Sequence, residues 1–145
     1  MNSLGIVSNW LAERVSGATL DDDGIAGLQA DDENIIMLEV PENSQTCHIS
    51  SPAMALPENE PVAGLFAALE LNRYGRPLGG CWLAWDPDIE MLMLCFNLYI
   101  PTSDVVAFNN TLDNFAAALK SVQSSFNEEQ LIETRAGSAT HFELA

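Results

Sequence analysis

Apolar positions recur along the chain with two distinct periods, which predicts that both helices and strands occur. A first helix is predicted between the capping residue Ser3 and Gly17, because apolar side chains there fall three or four residues apart. These positions are Leu4, Val7, Leu11 and Val15. Ile6 and Trp10 widen the apolar side beyond what one core contact requires. Trp10 is therefore expected either inside the core or on a surface that meets a partner.

Three strand-like segments follow the first helix, and short polar turns separate them. The segments are 24–30, 35–40 and 46–51, with the acidic residues 31–34 and the sequence Pro41-Glu-Asn-Ser44 between them. Connections this short join antiparallel strands, whereas parallel strands need a long crossover. The pattern therefore predicts an antiparallel meander.

The stretch from Pro61 to Ile100 predicts a helix followed by a hairpin. Pro61 suits a first helical position, and Asn72 with the Gly/Pro-rich segment after it ends the helix. Asp86-Pro87-Asp88 predicts the turn between two strands. The second strand, 91–100, is apolar on both faces and therefore needs cover on both. The helices suffice for one face, which leaves a second copy of the protein as candidate cover for the other.

The longest helix is predicted after Pro101, where hydroxyl and acidic groups up to Asp104 offer caps. Its apolar positions alternate in steps of three and four: Val105, Phe108, Leu112, Phe115, Leu119, Val122 and Phe126. Burial of these side chains contributes about 10–20 kcal/mol gross, so this helix is expected to lie across the sheet. Together the elements predict one α+β domain over residues 1–126, with an antiparallel sheet of about five strands and three helices in the order α-β-β-β-α-β-β-α. Residues 127–145 are predicted to form a C-terminal extension that is partly helical or disordered.

Composition narrows the classes of function. The formal net charge of −16 argues against binding to nucleic acid or to an anionic membrane. No apolar stretch reaches transmembrane length, and the first ten residues lack the regions of a signal peptide, which predicts a cytoplasmic protein. Cys47, Cys81 and Cys95 are odd in number and widely spaced, so they are expected to be buried, reduced thiols.

The sequence carries no constellation typical of catalysis or metal binding. It lacks a phosphate-binding Gly-rich loop, a nucleophile elbow and a His/Cys cluster. The acidic run before Gly24 does not fit a calcium loop, because Thr19 and Ala30 would occupy the first and twelfth ligand positions. His48 has no ligand neighbour at suitable spacing and is expected to be structural, and His141 lies in the C-terminal extension. We therefore expect no enzyme, no cofactor and no metal.

This order of elements, in a small and very acidic chain, resembles the class I type III secretion chaperones, the CesT or Tir-chaperone family. The segments that carry the resemblance are Leu65-Phe-Ala-Ala-Leu-Glu-Leu-Asn72, Gly79-Gly-Cys-Trp-Leu-Ala-Trp-Asp86, Met91-Leu-Met-Leu-Cys-Phe96 running into Asp104, and the helix of Phe108, Phe115 and Leu119. The resemblance covers about residues 4–126. It implies a homodimeric virulence chaperone that binds the N-terminal segment of one or more secreted effectors in extended form. Such a chaperone delivers its effector to the export apparatus, whose ATPase is a further expected partner.

The resemblance also implies where the partners bind. Dimer contacts would fall on Leu65, Leu69, Cys81, Trp82 and Leu83. Effector contacts would fall on Val7, Trp10, Leu11, Ile25, Leu28, Ile36 and Leu38, with Met91 and Met93 as an adaptable patch. For each of these residues the alternative is an ordinary place in the core.

Two other classes of function remain open from the sequence. An acidic inhibitor or immunity protein could cover a basic surface of its target, and its affinity would then fall steeply with salt. A small hydrolase would need a pocket that holds a carboxylate pair such as Asp86 and Asp88.

Overall fold

The structure, a computed structural model, describes residues 2–73 and 78–126. The elements are α1 (Ser3–Arg14), β1 (Ile25–Gln29), β2 (Ile35–Glu39), β3 (Thr46–Met54), α2 (Pro61–Leu71), β4 (Trp82–Asp86), β5 (Met91–Tyr99) and α3 (Val105–Ser125). The predicted α+β class and the predicted order of elements are both confirmed. The C-terminal extension 127–145, and residues 74–77 of the Gly/Pro-rich segment, lie outside the described residues.

The five strands form one antiparallel sheet in the spatial order β1-β2-β3-β5-β4. β1, β2 and β3 form the predicted meander, whereas α2 intervenes before the β4–β5 hairpin, and β5 then pairs with β3. β1 and β4 are therefore the two edge strands, at opposite ends of the sheet. Within residues 2–73 and 78–126, no helix combines the length and the apolar character that crossing a bilayer requires.

One face of the sheet is buried beneath the helices. α3 packs across β3 and β5, and α1 packs beside α3. The buried side chains of the sheet face and of α3 include Ile36, Leu38, Cys47, Ile49, Leu92, Leu94, Leu98, Phe108, Leu112, Phe115, Leu119 and Val122. The ring centroids of Trp10 and Phe108 lie 5.6 Å apart, so Trp10 packs against the core and is partly buried. The core thus forms between α3, α1 and one sheet face, as the apolar periods predict.

Several element ends differ by one residue or more from the sequence prediction, and two differences have an identifiable physical cause. Asn2 rather than Ser3 caps α1, because Asn2 Oδ1 accepts a hydrogen bond of 2.9 Å from the Gly5 N–H. β3 continues to Met54 instead of ending at Ser51. Proline at position 52 is tolerated in this central strand because the β2–β3 pairing ends at Ser50, so Pro52 need not donate to β2.

The acidic turn between β1 and β2 is held by its own side chains. The Asp31 carboxylate accepts hydrogen bonds from the N–H groups of Glu33 and Asn34 and from the Asn34 side chain. These bonds, led by that of the Asn34 side chain, lower the pKa of Asp31. The Asn34 amide also exchanges hydrogen bonds with Gln123 of α3. The turn is therefore attached to the helix that covers the sheet.

Candidate binding surfaces

The outer edge of β1 offers backbone groups for a further strand. The Gly24 C=O accepts from the Val40 N–H, and the Ala30 N–H donates to the Asn34 C=O, so the two residues that flank β1 bond to those that flank β2. Because the direction of the backbone groups alternates along a strand, those of residues 25, 27 and 29 point away from β2. At Ile25 both outward backbone groups already have a partner in Asp21. The Ile25 N–H donates to Asp21 Oδ1, and the Ile25 C=O accepts from the Asp21 N–H. Among the described residues, no partner occupies the outward backbone groups of Gly27 and Gln29. These two residues form the receptive part of the edge.

A pocket lies beside this receptive edge, between the end of α1, β1 and the middle of α3. It has a volume of about 530 Å³. Its apolar lining comes from Val15, Ala18, Leu28, Leu112 and Ala116. At its rim, Arg14 donates to Asp113 at 2.7 Å and also bonds Asn109, which ties α1 to α3. We call this the β1 pocket.

The opposite edge, β4, is closed by a side chain. The Leu83 N–H donates to Asn72 Oδ1 at 2.7 Å, and Asn72 Nδ2 donates to the Leu83 C=O at 3.0 Å. The amide of Asn72 thereby occupies the two backbone groups that an added strand would use. The Cys81 N–H is likewise taken by the Leu78 C=O. The amide also fixes the end of α2 against the sheet.

Replacing Asn72 with alanine is expected to destabilise the protein by about 1–3 kcal/mol. The Leu83 N–H and C=O would lose their partners in a partly buried place, and an unmet backbone group is costly. Urea unfolding at fixed protein concentration measures the change. Asn110→Ala, an exposed asparagine of α3, is the matched control and is expected to change stability by less than about 0.5 kcal/mol. Equal stability of the two variants would show that the amide bridge contributes nothing.

α2 presents an apolar stripe to solvent. Val62, Leu65, Phe66 and Leu69 follow the spacing of one helical face, and three of them expose 60% or more of their surface. The opposite face of the helix packs closely against the segment before it, because residue 64 is glycine. A Cβ at Gly64 would lie 2.9 Å from Leu56 Cδ2. Apolar side chains this exposed on one face of a helix make that face a candidate interaction surface. We call it the α2 stripe.

The second face of the sheet is neither buried nor uniformly polar. Its apolar side chains include Ile25, Ile35, Met37, Pro52, Trp82, Met91 and Met93, all of them partly or largely exposed. Towards one end a polar row crosses three strands, in which Glu39 faces His48 and His48 Nδ1 lies 2.7 Å from Asn97 Oδ1. His48 thus has the structural partner expected of it.

The predicted effector residues divide between core and surface. Val7, Leu11 and Leu38 are buried and their side chains form the core, which corrects their prediction as effector contacts. Ile36 is also buried, but it lines the β1 pocket. Trp10 and Leu28 are partly buried against the core, and Ile25 is half-buried. Of these three, only Leu28 lines the β1 pocket. Met91 and Met93 lie on the second sheet face, away from α1.

The predicted dimer residues also divide. Leu65 and Leu69 lie on the α2 stripe, and Trp82 is exposed on the second sheet face. Cys81 and Leu83 are buried within the protomer, which corrects their prediction as contact side chains. The sequence prediction of dimer contacts did not include Val62 and Phe66, although their helical spacing relative to Leu69 places them on the same stripe. Sequence reasoning also missed the edge groups of Gly27 and Gln29, for which no side-chain signal exists.

The candidate reactive groups show no arrangement for chemistry. Burial raises the pKa of the Cys47 thiol to about 12 and that of Cys81 to about 11, and it raises the pKa of Cys95 as well. Thiols of this kind stay protonated near neutral pH and are poor nucleophiles. Asp86 uses its carboxylate to accept the Asp88 N–H within the exposed turn. In the part of the chain that the structure describes, no three His, Cys, Asp or Glu side chains are grouped to hold a metal ion.

Known structures share this fold over nearly the whole chain. A crystal structure of the ExsC–ExsE complex contains a chain that superposes with a TM-score of 0.74 at 16% identity, over 88% of this chain and 98% of that one. The heterodimeric ExoU–SpcU complex from the type III secretion system of Pseudomonas aeruginosa gives 0.65 at 20% identity, over 83% and 98%. The Yersinia pestis type III secretion chaperone SycH, in complex with a fragment of YscM2, gives 0.61 at 15%, over 83% and 99%. At these identities the likeness establishes the fold.

Sequence comparison adds the family. No curated protein sequence matches the chain significantly. Residues 13–123, however, match the Tir chaperone protein (CesT) family, which is a match over well more than half of the chain. This bears out the resemblance drawn from the sequence and the prediction of a chaperone instead of an enzyme. The chain belongs to the Tir chaperone protein (CesT) family, the class I type III secretion chaperones.

Proposed function

We propose that this protein is a cytoplasmic chaperone that binds the N-terminal segment of a secreted effector and keeps it extended for type III export. Membership of the CesT family supports this role, and SpcU with ExoU and SchA with HopA1 are structural relatives found in complexes. The observation that carries the proposal is the receptive edge at Gly27 and Gln29 beside the β1 pocket. At this one place the protein offers free backbone groups to pair with an effector strand and an apolar pocket for one of its side chains.

Strand addition at this edge explains how one chaperone accepts an unfolded segment. An effector strand paired with Gly27 and Gln29 gains up to four backbone hydrogen bonds, each contributing about 0.5–1.5 kcal/mol. Its alternate side chains point to one face, where the β1 pocket can bury an apolar group for a further ~1.5–3 kcal/mol. Backbone bonds tolerate many sequences, whereas the pocket selects among them.

The α2 stripe supports a homodimer. A second copy would cover Val62, Leu65, Phe66 and Leu69 through an isologous contact, in which each stripe meets its equivalent. α2 is fixed at the β4 edge, whereas effector capture uses β1 at the other end of the sheet. A dimer formed through α2 would therefore leave both receptive edges free. Transfer of the effector to the ATPase of the export apparatus is the step that we propose follows capture.

Co-expression with candidate effectors tests the function. The N-terminal segment of a true effector is expected to co-purify with the chaperone and to resist limited proteolysis while bound. Failure of every candidate from the host to be protected would overturn the proposal. A complex that dissociates completely in 0.5 M NaCl would instead favour the acidic inhibitor, because apolar burial and backbone pairing are only weakly screened by about this much salt.

Gln29→Pro is expected to weaken effector binding at least about tenfold without unfolding the protein. Proline removes the outward N–H of Gln29, which an effector strand would use, but it removes no bond to β2 because residue 29 faces outward. Isothermal titration calorimetry with the protected effector segment measures the change. Gln29→Ala is the matched control, since it also loses the side-chain bond to the Asp31 C=O but keeps the backbone N–H. Unchanged affinity for Gln29→Pro would show that effectors bind elsewhere.

A further inference from the structure

We propose that a groove at the start of α1 recognises a basic, apolar segment of the effector, next to the strand bound at β1. This inference rests on the proposed function and deepens it by naming the chemistry of the segment. The groove has a volume of about 730 Å³ and lies between the start of α1, the turn before β1 and the β2–β3 turn. We call it the α1 groove. It is separate from the β1 pocket, which lies at the other end of α1.

The floor of the α1 groove is apolar. Leu4 and Ile6 are partly buried on the side of α1 that faces the groove, and Val40 and Ile100 form its base. Gly24 lets the turn before β1 lie close to Val40, because its φ is +79° and a Cβ there would lie 2.3 Å from the Val40 carbonyl oxygen. The floor is therefore suited to the side chain of a leucine, isoleucine or valine.

The rim of the α1 groove is acidic. Asp22, Asp23 and Glu42 line it, and their carboxylates take no part in the hydrogen bonds that hold the neighbouring turns. The one salt bridge within residues 2–73 and 78–126 is that of Arg14 with Asp113, so no cation of the described chain neutralises this rim. The start of α1 contributes a partial positive charge of about half a unit, which is smaller than the negative charge of the three carboxylates.

The spacing of these carboxylates favours a peptide over a metal ion. They do not approach one another closely enough to ligate a single cation together. Separate lysine or arginine side chains along an extended segment could each meet one carboxylate while an apolar side chain between them enters the floor. A basic occupant also fits the net charge of −16, which repels acidic segments from the whole surface.

The geometry of β1 places the α1 groove next on the path of a bound effector. Strand pairing must end before Ile25, because Asp21 already occupies the backbone groups of that residue. An effector chain that runs along Gln29 and Gly27 towards the start of β1 has to leave the edge there. The turn at Asp22 and Asp23, which it then reaches, is one wall of the groove. The two sites can therefore bind consecutive parts of one segment.

Two short peptides and two variants of the full chain test the inference. The probes are N-acetylated, C-amidated Leu-Lys-Ile-Lys and Leu-Gln-Ile-Gln, titrated at millimolar concentrations into the ¹⁵N-labelled protein. The lysine peptide is expected to shift the amide signals of Leu4, Asp22 and Glu42, and to bind about tenfold more tightly than the glutamine peptide. Its affinity is expected to fall several-fold as salt is raised.

Two matched variants separate the effect of the rim carboxylates from the effect of the total charge of the protein. Asp22→Asn/Asp23→Asn/Glu42→Gln is expected to bind the lysine peptide about tenfold more weakly than the unaltered chain. Asp32→Asn/Glu33→Gln/Asp88→Asn removes the same charge at exposed positions outside the groove and is expected to bind as the unaltered chain does. Absence of shifts at the groove, equal binding of the two peptides, or equal weakening by both variants would each overturn the inference. None of these outcomes bears on the proposed binding of the effector at β1, which the protease-protection experiment tests separately.

Discussion

Leu69→Glu is expected to convert the proposed dimer into a monomer, with the dimer dissociation constant raised about a thousandfold. The Leu69 side chain is 66% exposed in the protomer and lies on the α2 stripe, where a second copy would bury it. Burying a carboxylate without a partner there removes at least ~2 kcal/mol of binding, and an isologous dimer contains the substitution twice. Each protomer already carries a charge of −16, so the added charge also increases repulsion between the two copies. Light scattering over a dilution series measures the change.

Val106→Glu is the matched control for this experiment. Val106 is 61% exposed on α3, so the same kind of substitution adds the same charge without touching the α2 stripe. This control is expected to remain dimeric. Because Leu69 is exposed in the protomer, the Leu69→Glu monomer is expected to keep its fold by circular dichroism. A well-folded Leu69→Glu variant that stays dimeric would place the interface elsewhere on the protein.

Phe108→Ala is expected to lower the free energy of unfolding by about 3–5 kcal/mol. Phe108 is fully buried in α3, and its ring lies against that of Trp10, so its loss leaves a cavity between α3 and α1. Domains of this size have total stabilities of about 5–15 kcal/mol, so the variant is expected to be partly unfolded at 37 °C. Urea unfolding at one protein concentration measures the change, since the proposed dimerisation would add a concentration-dependent contribution.

Two results would identify how this side chain stabilises the protein. Val106→Ala, in the same turn of α3 but exposed, is expected to change stability by less than about 0.5 kcal/mol. The tryptophan emission, to which Trp10 contributes together with Trp82 and Trp85, is expected to shift in Phe108→Ala and not in Val106→Ala. A loss below about 1 kcal/mol with unchanged tryptophan emission would show that α1 does not depend on Phe108 for its packing.

The sequence predicts the elements well because each has a strong local pattern. The apolar steps from Val105 to Phe126 require a long buried helix, and the short polar turns require an antiparallel meander. The strand end that was misplaced furthest, at Ser51, depends on where the neighbouring strand stops. That information lies in the pairing of β2 with β3 and has no counterpart in the local sequence.

The binding surfaces are less predictable for a physical reason. Apolar type alone does not separate Val7, which is buried, from Leu69, which is exposed, because burial depends on what packs against each helix. The receptive edge of β1 depends on which backbone groups face outward, and the hydrogen-bond register sets this independently of side-chain type. The role of Asp21 at Ile25 is likewise a matter of geometry, since an acidic turn residue has many possible partners.

The amide of Asn72 has a consequence for the protein at high concentration. A sheet that could accept a strand at both ends would be able to join to its own copies head to tail, and such growth has no natural limit. Here the Leu83 backbone is satisfied by Asn72, and of the positions on that side only Trp85 remains before the turn at Asp86. A single free residue is too few to pair with a strand of a second protomer. Growth of this kind is therefore blocked at β4, which leaves β1 as the sheet edge that is free to pair with a bound segment.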